Sequence, residues 1–234
     1  MAHEDAILFF RLGDFYEMFY EDAYKASRLL GLTLTSRGKD EHDNKIPMCG
    51  IPYHAAPNYI PKLLAQNISV AICEQVEEAS ATKGITKREV VNVITPGTLL
   101  EDKYLQSNEN NYLLAVSKDP QRDVYGIAYI DISTGEFWVT TALSKSTFID
   151  EVEKIGAREI LLPGGIEAQL FKDLLTVFVT ALGHKEAEQQ IKYVFGLVSL
   201  ESIGIDGIAP AWPAIAYITD YLVRTKKSIS NLQK

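Results

Sequence analysis

The 234 residues predict two α/β domains in series: a mixed sheet with helices first, then a sheet that begins antiparallel and ends in alternating strands and helices. Three observations carry this prediction. The length suits two domains of about 100 to 130 residues each. Strand-like and helical periods alternate up to Pro96-Gly97, where a polar stretch follows. Beyond that stretch three strand-like runs come in succession, and only then does a helix pattern alternate with strands.

Ile7 to Met18 reads as one strand, apolar on both faces at Ile7, Leu8, Phe9 and Phe10 and divided by face after Arg11, which places it centrally in its sheet. Residues two apart share a face only in a strand, so Gly13, Phe15 and Glu17 fall together. Leu12, Tyr16 and Met18, with Asp14 as the exception, form the more natural apolar side, and Phe15 is expected to be presented outward beside a carboxylate. Glu21-Asp22 open a helix at the favourable end of its dipole, Phe19, Ala23, Ala26, Leu29 and Leu30 give it an apolar stripe, and Gly31 closes it. Leu32 to Ser36 is strand-like, Lys39 to Lys45 a charged loop, and Ile46 to Pro52 a proline-flanked turn. Asn58 can cap a second helix running to Gln66, with Pro61 in its first turn. Ser69 to Gln75 and Arg88 to Thr95 read as strands, the latter ended by Pro96-Gly97.

The domain boundary is placed there, giving a first domain over 1–97, a linker over 98–111 that contains Asn108-Glu-Asn-Asn111, and a second domain over 112–234. Tyr112 to Ser117, Val124 to Ile132 and Glu136 to Ala142 are separated by turn signals at Asp119-Pro120 and Ser133-Thr-Gly135 and read as an antiparallel meander. A helix to Ile155, a strand over Glu159 to Leu162, a helix over Ala168 to Leu175, a strand over Val177 to Leu182 and a helix over Lys185 to Phe195 follow. Three antiparallel strands succeeded by βαβ units describe a ribonuclease H-like sheet. Pro213 to Thr225 is the last helix, with proline at a permissive position.

Composition bounds the function. With 47% hydrophobic and 23% charged residues and no apolar run near the roughly 18 to 20 residues that span a bilayer, nothing predicts a membrane role. Met1-Ala-His-Glu-Asp5 has no basic segment and no export signal follows it. Cys49 and Cys73 are too few for a disulfide framework and read as reduced, buried thiols of a cytosolic protein. The net charge is −8, with ten Lys/Arg against thirteen Asp/Glu over residues 1–97 and thirteen against eighteen in the remainder. Neither half carries the basic footprint of a nucleic-acid-binding domain. Local clusters of positive charge lie in the turn-like segments Arg37 to Lys39 and Lys83 to Arg88, so phosphate contacts are expected to be few and tight nucleic-acid binding to need charge from elsewhere.

The chemistry concentrates in Arg11-Leu-Gly-Asp-Phe-Tyr-Glu-Met18. A flat apolar ring beside a hydrogen-bonding group, reached over a glycine, is what probing a base-pair step by intercalation requires. The plainer reading of Phe15 is a core aromatic, and that of Glu17 a solvated strand carboxylate. Met48 and Gly50-Ile-Pro-Tyr-His54 form either a structural corner or a second wall along a DNA groove. Cys49 and His54 fall short of a zinc signature. Asp131 on a central strand raises a metal-dependent nuclease, but no convincing set of carboxylates accompanies it, and Ser133-Thr-Gly135 is better read as a turn. The sequence contains no Gly-x-x-x-x-Gly-Lys-[Ser/Thr] phosphate loop.

The Gly-x-Phe-Tyr-Glu element is followed in order by Leu34-Thr-Ser-Arg-Gly38, Ile46-Pro-Met-Cys-Gly-Ile-Pro-Tyr-His54, Val70-Ala-Ile-Cys-Glu-Gln75, Thr82-Lys-Gly84, Val93-Ile-Thr-Pro-Gly-Thr98 and, later, Tyr129-Ile-Asp-Ile-Ser-Thr-Gly-Glu-Phe137. This series resembles the N-terminal region of the MutS DNA mismatch-recognition family, over nearly the whole chain but only part of a complete family member. The resemblance implies a mixed-sheet mismatch-recognition domain and a ribonuclease H-like connector. It maps the family's intercalating phenylalanine onto Phe15 and its base-contacting glutamate onto Glu17, with Gly13, Arg37, Met48 and Lys83 as weaker DNA-binding candidates. It also implies mismatched double-stranded DNA and MutL as partners, a homodimer of the longer protein, and a cytoplasmic, nucleoid-associated bacterial setting. No catalytic residue, metal or cofactor is expected in this stretch; ATP and Mg belong to a missing C-terminal region. A metal-dependent nuclease and a pure protein-docking module are the rival classes.

Overall fold

In the computed structural model, residues 6–76, 87–99 and 110–228 are described. The chain divides into two compact units, Met1–Thr95 and Pro96–Lys234.

The first unit is built on a six-stranded mixed sheet. Its strands are β1 (Ile7–Leu12), β2 (Phe15–Phe19), β3 (Thr35–Lys39), β4 (Lys45–Pro52), β5 (Val70–Gln75) and β6 (Arg88–Ile94), in the order β3-β4-β2-β1-β5-β6. Only the β1–β5 pair is parallel. Ile7, Phe9, Tyr16, Met18, Cys49, Ile51 and Val70 point to one side and are buried, and helix α1 (Tyr20–Leu30) packs against β4 there, with Ala23 and Ala26 buried. Cys49 Sγ donates to the carbonyl of Ala23 at 3.5 Å. Each large apolar side chain removed from water on this side contributes about 1.5–3 kcal/mol. Helix α2 (Ala56–Leu64) adds Ile60, Leu63 and Leu64 to the core.

Three expectations are corrected here. Ile7 to Met18 is two strands, because Gly13 has φ +58° and Gly13-Asp14 form a two-residue hairpin loop. Ile46 to Pro52 is strand rather than turn: Met48 to Pro52 of β4 pair with the whole of β2, and Pro47 is tolerated because it lies opposite Ser36, where the pairing with β3 becomes irregular. Helix α2 also begins earlier than Asn58, with Pro57 in its first turn and Pro61 inside it.

The second unit holds β7 (Tyr112–Lys118), β8 (Tyr125–Asp131), β9 (Glu136–Ala142), β10 (Glu159–Pro163) and β11 (Leu175–Val179) in the order β11-β10-β7-β8-β9. β7, β8 and β9 form an antiparallel meander, while β10 and β11 add in parallel to β7's free side. Both faces are covered, so the central strands are apolar on both. Leu113, Ala115, Ala128, Ile130 and Leu161 pack with Ile191 of α4 (His184–Phe195) and with Ala214, Ile215, Ile218 and Leu222 of α5 (Trp212–Arg224). Leu114, Val116, Ile127, Ile160 and Leu162 pack with Phe148 and Val152 of α3 (Lys145–Ile155) and with Phe171. A Cβ on Gly126 would stand 2.3 Å from the carbonyl of Pro210, which fixes glycine where the chain leading into α5 crosses the sheet.

The helix expected over Ala168 to Leu175 is a short 3-10 turn, Ala168–Phe171, and the following strand starts at Leu175, two residues before the predicted Val177, in register with β10. Of the stretch expected as a linker, Thr98, Leu99 and Asn111 are buried, and Gly97 N donates to Glu159 Oε2 at 2.8 Å. Residues 100–109 lie outside the described residues.

Candidate nucleic-acid interface

The β1–β2 hairpin carries the candidate site at its tip. Phe15 opens β2, faces Leu12 of β1 on one side and Pro52 of β4 on the other, and is 47% exposed. Tyr16 and Met18, which alternate with it, are buried on the helix-covered side. A large apolar ring held on a regular strand and left half in water gains little from folding, since hydrophobic stabilisation follows the area removed from water. Gly13 does not share the strand face with Phe15; its left-handed backbone makes the turn that precedes the ring.

Glu17 stands two residues further on the same face, opposite Phe10 and Gly50. It is only 8% exposed. An ideal Cβ on Gly50 would meet the Tyr16 carbonyl at 3.2 Å and Glu17 Cγ at 3.6 Å, so glycine there leaves the carboxylate its place. Arg37, 54% exposed on the edge strand β3, donates from Nη1 to Glu17 Oε1 in a hydrogen-bonded ion pair. The other oxygen, Oε2, is buried and has no hydrogen-bond partner among the described residues. Met48 lies on β4 opposite Phe19, two positions from Gly50, and so belongs to this face as a strand residue rather than to a corner. The structure therefore brings Phe15, Glu17, Arg37 and Met48 to one side of one sheet. Lys83, with Thr82 and Gly84, falls outside the described residues.

From the opposite side the tip is braced by residues whose part was not legible in the sequence. The Arg11 guanidinium sits 3.6 Å from the centre of the Tyr53 ring, Arg11 Nε donates to the Gly13 carbonyl at 2.5 Å, and Tyr53 N donates to the Asp14 carbonyl at 2.9 Å. Arg11 also lies 3.8 Å from Glu74, which accepts from the Tyr16 hydroxyl. Burial, followed by that bond to Glu74, pushes the Tyr16 phenol above its ordinary pKa. The signal available was weak: an arginine two residues before a turn glycine, and a tyrosine after the second proline of Ile-Pro-Met-Cys-Gly-Ile-Pro.

Two further groups were singled out in the sequence. Cys49 is buried, with its thiol pushed up to about 11 by desolvation, while His54 is exposed. Among the described residues no three His, Cys, Asp or Glu side chains come together as a metal site. Asp131 in the second unit accepts from Asn111 N at 2.9 Å, Ser133 N at 2.9 Å and Ser133 Oγ at 2.6 Å, so its carboxylate closes the β8–β9 turn and anchors the start of β7. Among the described residues, no helix is long and apolar enough to cross a membrane.

Known proteins match this chain over almost its whole length. The family described as MutS domain I matches residues 1–103, and that described as MutS domain II matches residues 111–234. A protein named "DNA mismatch repair protein MutS" from Syntrophomonas wolfei is 43% identical, over 96% of this chain and 27% of its own length. One of the same name from Geobacillus kaustophilus is 42% identical over 96% of this chain and 24% of its own length. Another, from Shouchella clausii, is 50% identical over 72% of this chain and 19% of its own length. The chain spans about a quarter of the length of these relatives or less. With both domain families matched in order and this identity sustained across the two units, the chain belongs to the MutS family and carries its domains I and II.

Proposed function

We propose that the first unit recognises mismatched or looped-out bases in duplex DNA by inserting Phe15 at a kinked step, with Glu17 as the hydrogen-bonding acceptor beside it. The observation that carries this reading is a half-exposed ring two residues from a carboxylate that keeps one oxygen unpartnered among the described residues, both on one strand. Stacking on one base recovers about 1 to 3 kcal/mol. Opening a base step costs a few kcal/mol, least where pairing is already wrong. The wedge alone nearly balances, so selectivity follows from how easily the DNA deforms. Glu17 adds to it, because thymine N3-H and guanine N1-H are engaged in a correct pair and reach an acceptor only when pairing is wrong. At a paired site the carboxylate is desolvated near phosphates and gains nothing in return.

The second unit has the strand order that supports a ribonuclease H-like connector, which relays recognition to the remainder of a longer protein and to MutL. In that protein we expect a homodimer on kinked DNA and ATP with Mg in C-terminal domains. The name shared by the relatives, the length of those relatives and the net charge of −8 support this division of labour: the chain supplies the probe and other regions supply most phosphate contacts.

The test is Phe15→Ala in the intact protein, titrated with a mismatched and a fully paired duplex of otherwise identical sequence at matched salt. Mismatch affinity should fall toward that for the paired duplex, with the thermal transition nearly unmoved. An unfolded variant, or one whose selectivity is intact, would sink the wedge reading.

A further inference from the structure

Arg37 entered the sequence reading as a phosphate contact, yet its guanidinium is engaged with Glu17. We infer that Arg37 is the positioning residue of the mismatch acceptor: it orients Glu17 through Oε1, and so leaves Oε2 as the oxygen without a protein partner among the described residues. The inference rests on the reading of Glu17 given above.

The physical case comes from burial. A carboxylate that is 8% exposed between β1 and β4 is costly to bury unless a cation or donors compensate. The groups directly across from it on those strands are Phe10 and Gly50, which bring no side-chain donor. Arg37 supplies the compensation from β3, the second strand out from β2 and twenty residues away in sequence. It takes one oxygen only. A bidentate pairing, the geometry arginine most readily adopts with a carboxylate, would have occupied both oxygens and left no acceptor. Here Oε2 stays buried without a partner among the described residues. Arg37 sits where the β3–β4 register shifts, between Ser36 and Lys39, with Gly38 following at φ +70°. That irregularity sets where the arginine of the edge strand reaches the carboxylate of β2.

The two roles for Arg37 give different signatures. A phosphate contact is indifferent to pairing: removing it weakens both duplexes alike and lowers the salt slope by about 0.9 per contact. A positioning residue acts through Glu17, so its removal changes the ratio of mismatched to paired affinity and leaves the slope alone.

The experiment is a double-mutant cycle in the intact protein with Arg37→Met, Glu17→Gln and both together, read as the mismatched-to-paired affinity ratio and its salt dependence, with Arg37→Lys as the conservative variant. We expect Glu17→Gln to narrow the ratio, Arg37→Met to narrow it about fivefold or more, the double variant to match Glu17→Gln alone, and Arg37→Lys to restore part of the ratio. An unchanged ratio with a reduced salt slope in Arg37→Met, while Glu17→Gln still narrows it, overturns the inference and leaves the function standing. If Glu17→Gln leaves the ratio unchanged, the assigned role of Glu17 fails and the inference with it. A narrowed ratio in Arg37→Met that persists undiminished on top of Glu17→Gln shows that the arginine acts by another route and also overturns it.

Discussion

The buried carboxylates of the two units are treated in opposite ways. In the second unit Asp131 accepts from three donors, and Glu159, which is fully buried, accepts from Gly97 N and from the Tyr221 hydroxyl, so each serves as a joint between segments far apart in sequence. In the first unit Glu17 has one exposed arginine on one oxygen and no partner among the described residues on the other. Carboxylates that hold a fold together have their lone pairs filled, because an unfilled one costs stability. One left open on a strand face beside a half-exposed phenylalanine reports a position shaped by something other than the stability of the unit.

The contrast breaks first, and with the largest effect, at Asp131. Asp131→Ala leaves Asn111 N and the Ser133 donors without their acceptor and should lower the unfolding free energy of the second unit by about 3 kcal/mol, read by urea denaturation. A loss below about 1 kcal/mol would remove the structural reading of this residue. Phe15→Ala is the counterpart: less than about 1 kcal/mol of stability changes, since the ring is half in water, while about 1 to 3 kcal/mol of stacking disappears and mismatch selectivity falls roughly tenfold or more.

A pH titration separates the two units by a different route, because both cysteines of the chain belong to the first unit. The Cys49 thiol is pushed up to about 11 from its ordinary value near 9 by burial. Between those values the unfolded chain has released the proton while the folded one retains it, so stability falls as pH rises through that window, by about 1 to 2 kcal/mol. The contribution is complete below about pH 9, and Cys49→Ala should flatten the slope measured by chemical denaturation of the first unit. The smallest effect is expected from Glu17→Gln on stability alone, a change of less than about 1 kcal/mol, because the ion pair it breaks has an exposed partner. The same variant should bind fully paired DNA more tightly. Weaker binding to paired DNA by Glu17→Gln would show that the carboxylate does not oppose correct pairing.

The sequence by itself determined which way Phe15 to Met18 face and where most elements lie, although Leu12, expected with Tyr16 and Met18, lies opposite Phe15. The two-residue period separated Phe15 and Glu17 from Tyr16 and Met18, the stripe with Gly31 marked α1, and the turn signals at Asp119-Pro120 and Ser133-Thr-Gly135 delimited the meander β7–β9, because Cβ direction and turn chemistry are properties of a few consecutive residues. Tertiary structure decided what pairs with what. Gly13 divides Ile7 to Met18 into a hairpin only because β2 returns against β1, and Pro47 and Pro52 read as a turn until β2 and β3 are seen to flank β4. The short turn at Ala168–Phe171 likewise reflects the parallel register that β10 imposes on β11. Arg37 on Glu17 and Arg11 under Tyr53 are contacts across twenty and forty-two positions, and no local period encodes a partner at that distance. They exist because the sheet order sets four distant segments side by side, and that order is fixed by the summed burial and hydrogen bonding of the whole unit.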